Sequence, residues 1–136
     1  MTQLRDLAEP FPSKLVKQPP QGKYGSYVSH STVNERALSI VGPFSQEVVR
    51  EICDGEFLTG VVLRVALSID GRQIVIEEAG DVENPESKKT NGARLKDATS
   101  DAFKRCWMRT GLGLHLWSQD DYFLDKQLDK EDGGRE

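Results

Sequence analysis

Cysteine is scarce in this chain, and its two copies, Cys53 and Cys106, stand far apart with no CxxC and no histidine at ligand spacing. That excludes a disulfide framework and a structural zinc site as the basis of the fold. Histidine is as rare. His30 and His115 have no partner at triad or metal spacing, and neither a GxSxG elbow nor a Walker-type glycine loop occurs. The sequence is thus not expected to be an enzyme or to carry a nucleotide or metal cofactor. No apolar run approaches the roughly eighteen residues of a membrane span, and the opening MTQLRDLAEP lacks the basic-then-apolar plan of a signal peptide. A cytoplasmic location away from membranes is expected. Positive charge is not in excess either: 18 Lys and Arg against 22 Asp and Glu leave a net charge of −4, which on totals alone argues against a nucleic-acid partner.

The distribution of charge qualifies that total. Twelve of the acidic residues lie in two segments, 77–86 and 120–136, so the middle of the chain and its N-terminal segment are locally basic. With 136 residues, 37% of them hydrophobic and 29% charged, the chain has the composition of one ordinary globular domain with a real core.

The sequence is organised around the stretch from Lys88 to Trp117. At the helical step of about 100° per residue, Leu95, Ala98, Thr99, Ala102, Phe103, Cys106 and Trp107 share one face, with Arg94, Asp97, Asp101, Lys104 and Arg105 opposite. This spacing predicts an amphipathic helix over 92–109, capped by Thr90 or Asn91 and ended by Gly111, with Cys106 in the core. Lys104, Arg105 and Arg109 crowd its last turns, where cations suit the helix dipole.

Upstream, residues 1–29 read as an extended arm in which Lys14, Lys17 and Lys23 alternate with Tyr24 and Tyr27, because Pro19-Pro20, Gly22 and Gly25 oppose regular structure. Basic residues interleaved with rings suit an unpaired strand of nucleic acid, and equally suit a plain surface loop. Thr32 and Glu35 fit a capping box for a short helix that Gly42-Pro43 stops. Strands follow over Gln46–Ile52, Glu56–Ile69 and Arg72–Ala79, joined at Asp54-Gly55 and Asp70-Gly71. In the second, the odd positions from Phe57 to Ile69 alternate onto one apolar face, which needs a cover that the long helix supplies. The other face, Leu58, Gly60, Val62, Arg64, Ala66 and Ser68, is apolar enough to invite a second copy of the chain. The expected fold is therefore α+β, with an α-β-β-β-α core in which an antiparallel meander packs on a long amphipathic helix. The chain divides into an arm (1–29), a core domain (30–126) and an acidic disordered tail (127–136), with an apolar segment around Leu114, Leu116, Trp117, Tyr122, Phe123 and Leu124 docking back on the domain.

Two readings of the cations stand side by side. Asp101 lies three residues before Lys104 and four before Arg105, so the charges could pair on a solvated helix face for about 0.3–0.5 kcal/mol each. Three cations within one and a half turns nevertheless exceed what one aspartate neutralises, which favours contact with phosphates. A metal-dependent nuclease, built on Asp70 or Asp81 with Glu86 and Lys88, is a further alternative. A double-stranded-RNA-binding-like module is another, since β-β-β-α with a basic helix end is also that fold's plan.

The segment GARLKDATSDAFKRCWMRTGLG resembles the signature helix of the Rad52 family of single-strand annealing proteins, which includes phage annealases and DdrA-like bacterial proteins. Lys96, Asp97, Ala98, Ser100, Asp101, Phe103, Lys104, Arg105 and Gly111 fall on the family's pattern. A second block, Tyr27-Val28 and then Val33-Asn34 to Gly42, is similar to the family's tyrosine, short helix and glycine before the first strand. The resemblance spans residues 27 to about 126. It implies ATP-independent binding of single-stranded DNA in a basic groove around an oligomeric ring of about ten or more subunits. It also implies annealing to a complementary strand in recombination and double-strand break repair. By the same resemblance Lys104 and Arg105 hold phosphates, helped by Lys14 and Tyr27, with Arg109 nearby. Lys88 or Lys89 is implied at a second DNA-contacting surface, and a single-strand binding protein or recombinase is an implied partner, with the protein associated with nucleoid DNA. The sequence departs from the family in two places. Met108 stands where a further cation is usual, with Arg109 about 100° round the helix from it, and QPPQG replaces a glycine-rich bend in the arm.

Overall fold

The computed structural model describes residues 2–17 and 28–116. Tyr24 and Tyr27, the apolar segment from Trp117 on and the acidic tail 127–136 lie outside the described residues. The chain divides into two compact units, residues 1–42 with 107–136, and residues 43–106.

In the first unit, helix α1 (Thr2–Ala8) occupies part of what the sequence reading makes an extended arm. The helix has a local cause. Leu4, Leu7 and Ala8 recur at helical spacing, and the first proline comes only at Pro10, so the turn-breaking residues end this helix and do not prevent it. Helix α2 (His30–Val41) starts two residues before the expected capping box, because Ser29 is the cap: its Oγ accepts the Thr32 N–H at 3.2 Å. Gly42, at φ 78°, ends it with its N–H on the Leu38 carbonyl. The Gln3 side-chain amide donates to Ile40 O at 3.0 Å, tying α1 to the last turn of α2. The Arg36 guanidinium lies 3.9 Å from the centre of the Phe11 ring and donates to the Glu9 carbonyl. Leu7, Phe11, Val33, Ala37 and Leu112 are among the buried residues of this unit.

The second unit is an antiparallel meander of three strands, β1 (Ser45–Asp54), β2 (Phe57–Ile69) and β3 (Arg72–Asp81), in the order β1-β2-β3. Both hairpins form, the second on Asp70-Gly71 as expected and the first on Gly55-Glu56, since Asp54 is the last residue of β1 and pairs with Phe57. Asp70 and Gly71 take φ of 48° and 81°, the left-handed pair that a tight hairpin matching strand twist requires. Helix α3 (Asn91–Met108) follows, capped by Thr90, whose Oγ1 accepts the Ala93 N–H at 3.1 Å. Among the described residues the fold is α+β, a three-stranded sheet with three α-helices, and the long α3 covers one sheet face.

Alternation along β2 holds from Val61 to Ile69 and fails before it. Ile52 pairs with Gly60 and Cys53 with Leu58, which leaves Thr59 as the extra residue of a β-bulge. The bulge shifts the phase, so Leu58 and Val61 are both buried, while Phe57, expected on the covered face, is 46% exposed. A second bulge leaves Val49 unpaired on β1, between Val48 and Arg50.

Helix α3 buries Ala98, Ala102, Phe103 and Cys106 completely or nearly so. The Cys106 thiol lies 3.7 Å from Leu63 O, which places it in the core as expected, and Phe103 packs 6.0 Å from Phe44, centre to centre. Burying one such phenyl ring stabilises by about 2–3 kcal/mol. On the uncovered face, Arg64 bridges the strands, 2.9 Å from Glu47 and 2.8 Å from Glu77.

Candidate nucleic-acid interface

Arg105 sits in the last turns of α3 with its Nε 3.0 Å from Asp101 Oδ2, the i,i+4 pair foreseen from spacing. Asp101 is itself anchored: the same oxygen accepts the Asp81 N–H from the end of β3 at 3.1 Å, and its side chain is only 16% exposed. The aspartate therefore holds Arg105 against a fixed point of the sheet, and a guanidinium so oriented loses less freedom on meeting an anion. Lys104, next to it, is half-buried. The pairing reading holds for Arg105 and does not exclude the phosphate reading.

The loop between β3 and α3 carries the second basic pair. Asn84, at φ 50°, opens a single 3-10 turn over Pro85–Ser87. Glu83 N–H donates to Asp97 Oδ2 at 2.6 Å and Val82 N–H to Thr59 O at 3.0 Å, so the chain entering the turn is anchored to regular structure. Lys88 is half-buried and Lys89 exposed.

Sequence reasoning missed the residue that holds this loop. Arg94, placed on the polar face by pattern, is 9% exposed. It donates to three carbonyls: Nε to Lys88 O at 2.9 Å, Nη1 to Leu58 O at 3.1 Å and Nη2 to Pro85 O at 3.0 Å. Its guanidinium also lies 5.0 Å from the centre of the Phe57 ring. A fork of five donors suits a cage of carbonyls, which an ammonium could fill only in part. The signal was available, since Arg94, Ala98, Ala102 and Cys106 form one i,i+4 row whose other three members are fully buried.

The other candidates belong to the first unit or fall outside the description. Lys14 is exposed in a short 3-10 turn over Ser13–Leu15, and Arg109 is exposed just past the end of α3. Tyr27 lies outside the described residues. Lys104 and Arg105 are chain neighbours in the last turns of α3, and Lys88 and Lys89 are chain neighbours just after the turn Pro85–Ser87.

For the nuclease alternative, Asp70 precedes β3 and Asp81 ends it, eleven residues or roughly 36 Å along the strand, so Asp70 lies at the opposite end of β3 from the loop that carries Glu86 and Lys88. Among the described residues no group of three or more His, Cys, Asp or Glu could hold a metal ion. No helix among them is long and apolar enough to cross a membrane.

An α+β unit with one long amphipathic helix on an antiparallel meander, and paired cations at the helix end and on the loop before it, defines the class. The sequence profile described as the Rad52/22 family double-strand break repair protein matches residues 2–135, and the chain belongs to that family. Membership makes this a protein of DNA repair and recombination. No curated protein matches the sequence significantly.

Proposed function

We propose that the chain binds single-stranded DNA and anneals it to a complementary strand without ATP, as part of an oligomer. The observation that carries this reading is the Asp101-anchored Arg105 beside Lys104 on α3, within a family that repairs double-strand breaks. Two complementary strands repel through their phosphates and must leave their own hairpins before pairing. A surface that neutralises one backbone and leaves its bases accessible lowers both barriers, and base pairing supplies the free energy.

Assembly answers the net charge of −4. A modest cationic site repeated around an oligomer gains effective affinity with every copy that meets the same strand. The sheet has the surfaces for such assembly: β1 and β3 are edge strands, all ten residues of β1 are exposed, and Val75 on β3 is 63% exposed. By the same reading Lys14, Tyr27 and Arg109 add phosphate or base contacts. Lys88 and Lys89 serve a second DNA surface, and a single-strand binding protein or recombinase acts alongside in the nucleoid. The protein acts by binding and without bond-making chemistry of its own.

The test mixes complementary labelled oligonucleotides with the protein in nucleotide-free buffer and follows strand pairing by fluorescence, with mass measured by light scattering. Pairing faster than the spontaneous rate by a multimeric species supports the proposal. Pairing at the spontaneous rate discards it.

A further inference from the structure

Phe57 is the most exposed aromatic ring among the described residues, at 46%, although its neighbour Leu58 is buried to 4%. The ring is left in solvent by a rigid backbone. Asn91 donates from Nδ2 to Glu56 O at 2.9 Å and accepts the Leu58 N–H on Oδ1 at 3.1 Å, so one side chain of α3 brackets Phe57 from both sides. Arg94 adds a third bond, to Leu58 O. The same Arg94 guanidinium lies over the Phe57 ring and holds the carbonyls of Pro85 and Lys88. One buried cation therefore joins an exposed ring to the loop that carries Lys88 and Lys89.

We propose that Phe57 is a base-stacking residue: the solvent side of its ring takes a base of an unpaired strand, while Lys88 and Lys89 meet flanking phosphates. The inference rests on the single-strand-binding reading above and adds to it the group that engages the base. An aromatic ring beside lysines is the combination that single-strand binders use, since every base has a π face and every nucleotide a phosphate. Arg94 against the ring strengthens the arrangement, as a guanidinium favours the electron-rich face it covers and leaves the other face for the base. A backbone fixed by three hydrogen bonds needs no ordering when the base arrives.

The experiment measures binding of a fluorescent oligothymidylate to the full chain and to its variants over a salt series, with light scattering and thermal melts alongside. Phe57→Ala is expected to weaken binding about tenfold with an unchanged salt slope, and Phe57→Trp to bind as the parent does. Lys88→Ala with Lys89→Ala is expected to weaken binding and to lower the slope by about 1.4, two phosphates' worth for a single strand. Unchanged affinity for Phe57→Ala, or full affinity for Phe57→Leu, which keeps bulk without a ring, overturns the stacking role. A change in assembly mass on Phe57→Ala also overturns it, because the ring is then a contact with a second copy. Failure of the underlying reading looks different: neither the Lys88/Lys89 pair nor the Lys104/Arg105 pair then affects DNA affinity.

Discussion

Gly80, at the end of β3, lies against Ala102 of α3 so closely that a β-carbon on the glycine would stand 2.7 Å from the Ala102 methyl and would overlap the helix backbone at Ala98 and Ala102. Strand and helix touch main chain to main chain at this point. The contact fixes the end of β3 against the helix, and from that end Asp81 donates its N–H to Asp101. The absence of a side chain at residue 80 is thus the first requirement of the geometry that positions Arg105.

Gly80→Ala is expected to destabilise the fold by about 2–3 kcal/mol, because backbone atoms, unlike the tip of a flexible side chain, cannot give way locally. Urea denaturation followed by circular dichroism checks this. A midpoint equal to the parent's would mean that strand and helix do not meet there.

Arg94→Lys is expected to cost about 2–3 kcal/mol, since an ammonium on a shorter reach cannot satisfy carbonyls at residues 58, 85 and 88 together, and those left over are desolvated without a partner. Limited proteolysis supplies a second readout, with cleavage in residues 82–90 appearing in the variant before general unfolding. Parent-like stability and protease resistance would contradict the clamp.

The sequence discloses much of this architecture and conceals particular parts of it. The meander was legible because two Asp-Gly pairs punctuate alternating runs, and α3 because a seven-residue apolar stripe has the helical period. The cation pair at residues 104 and 105, with Asp101 beside it, was legible for the same reason. Helix α1 escaped notice because the prolines and glycines downstream of it dominate the composition of residues 1–29. The bulge at Thr59 has no local signature, since it arises from the register between β1 and β2, and so the exposure of Phe57 was invisible. Arg94 reads as a solvent residue by its charge, while its row with Ala98 and Ala102 points inward.

If the sheet edges mediate assembly, a lysine on an edge strand should block it. Val75→Lys places an ammonium at a position already 63% exposed, so the thermal midpoint of the subunit should move little. Light scattering is expected to show a smaller species than the parent. An unchanged mass would assign assembly to another surface.

Single-strand affinity is expected to fall steeply with salt, by about 0.7 in log Kd per unit log salt for each phosphate neutralised. Titrations at several salt concentrations give the slope. Binding equally tight at low and high salt would contradict a phosphate-led mode.

The most direct test of the central claim is the affinity of the Lys104→Ala, Arg105→Ala double variant for single-stranded DNA, measured by mobility shift beside its mass in solution. Loss of binding by a variant that assembles with the parent's mass is the predicted result. Undiminished binding by that variant would contradict the assignment of these two side chains to the DNA strand.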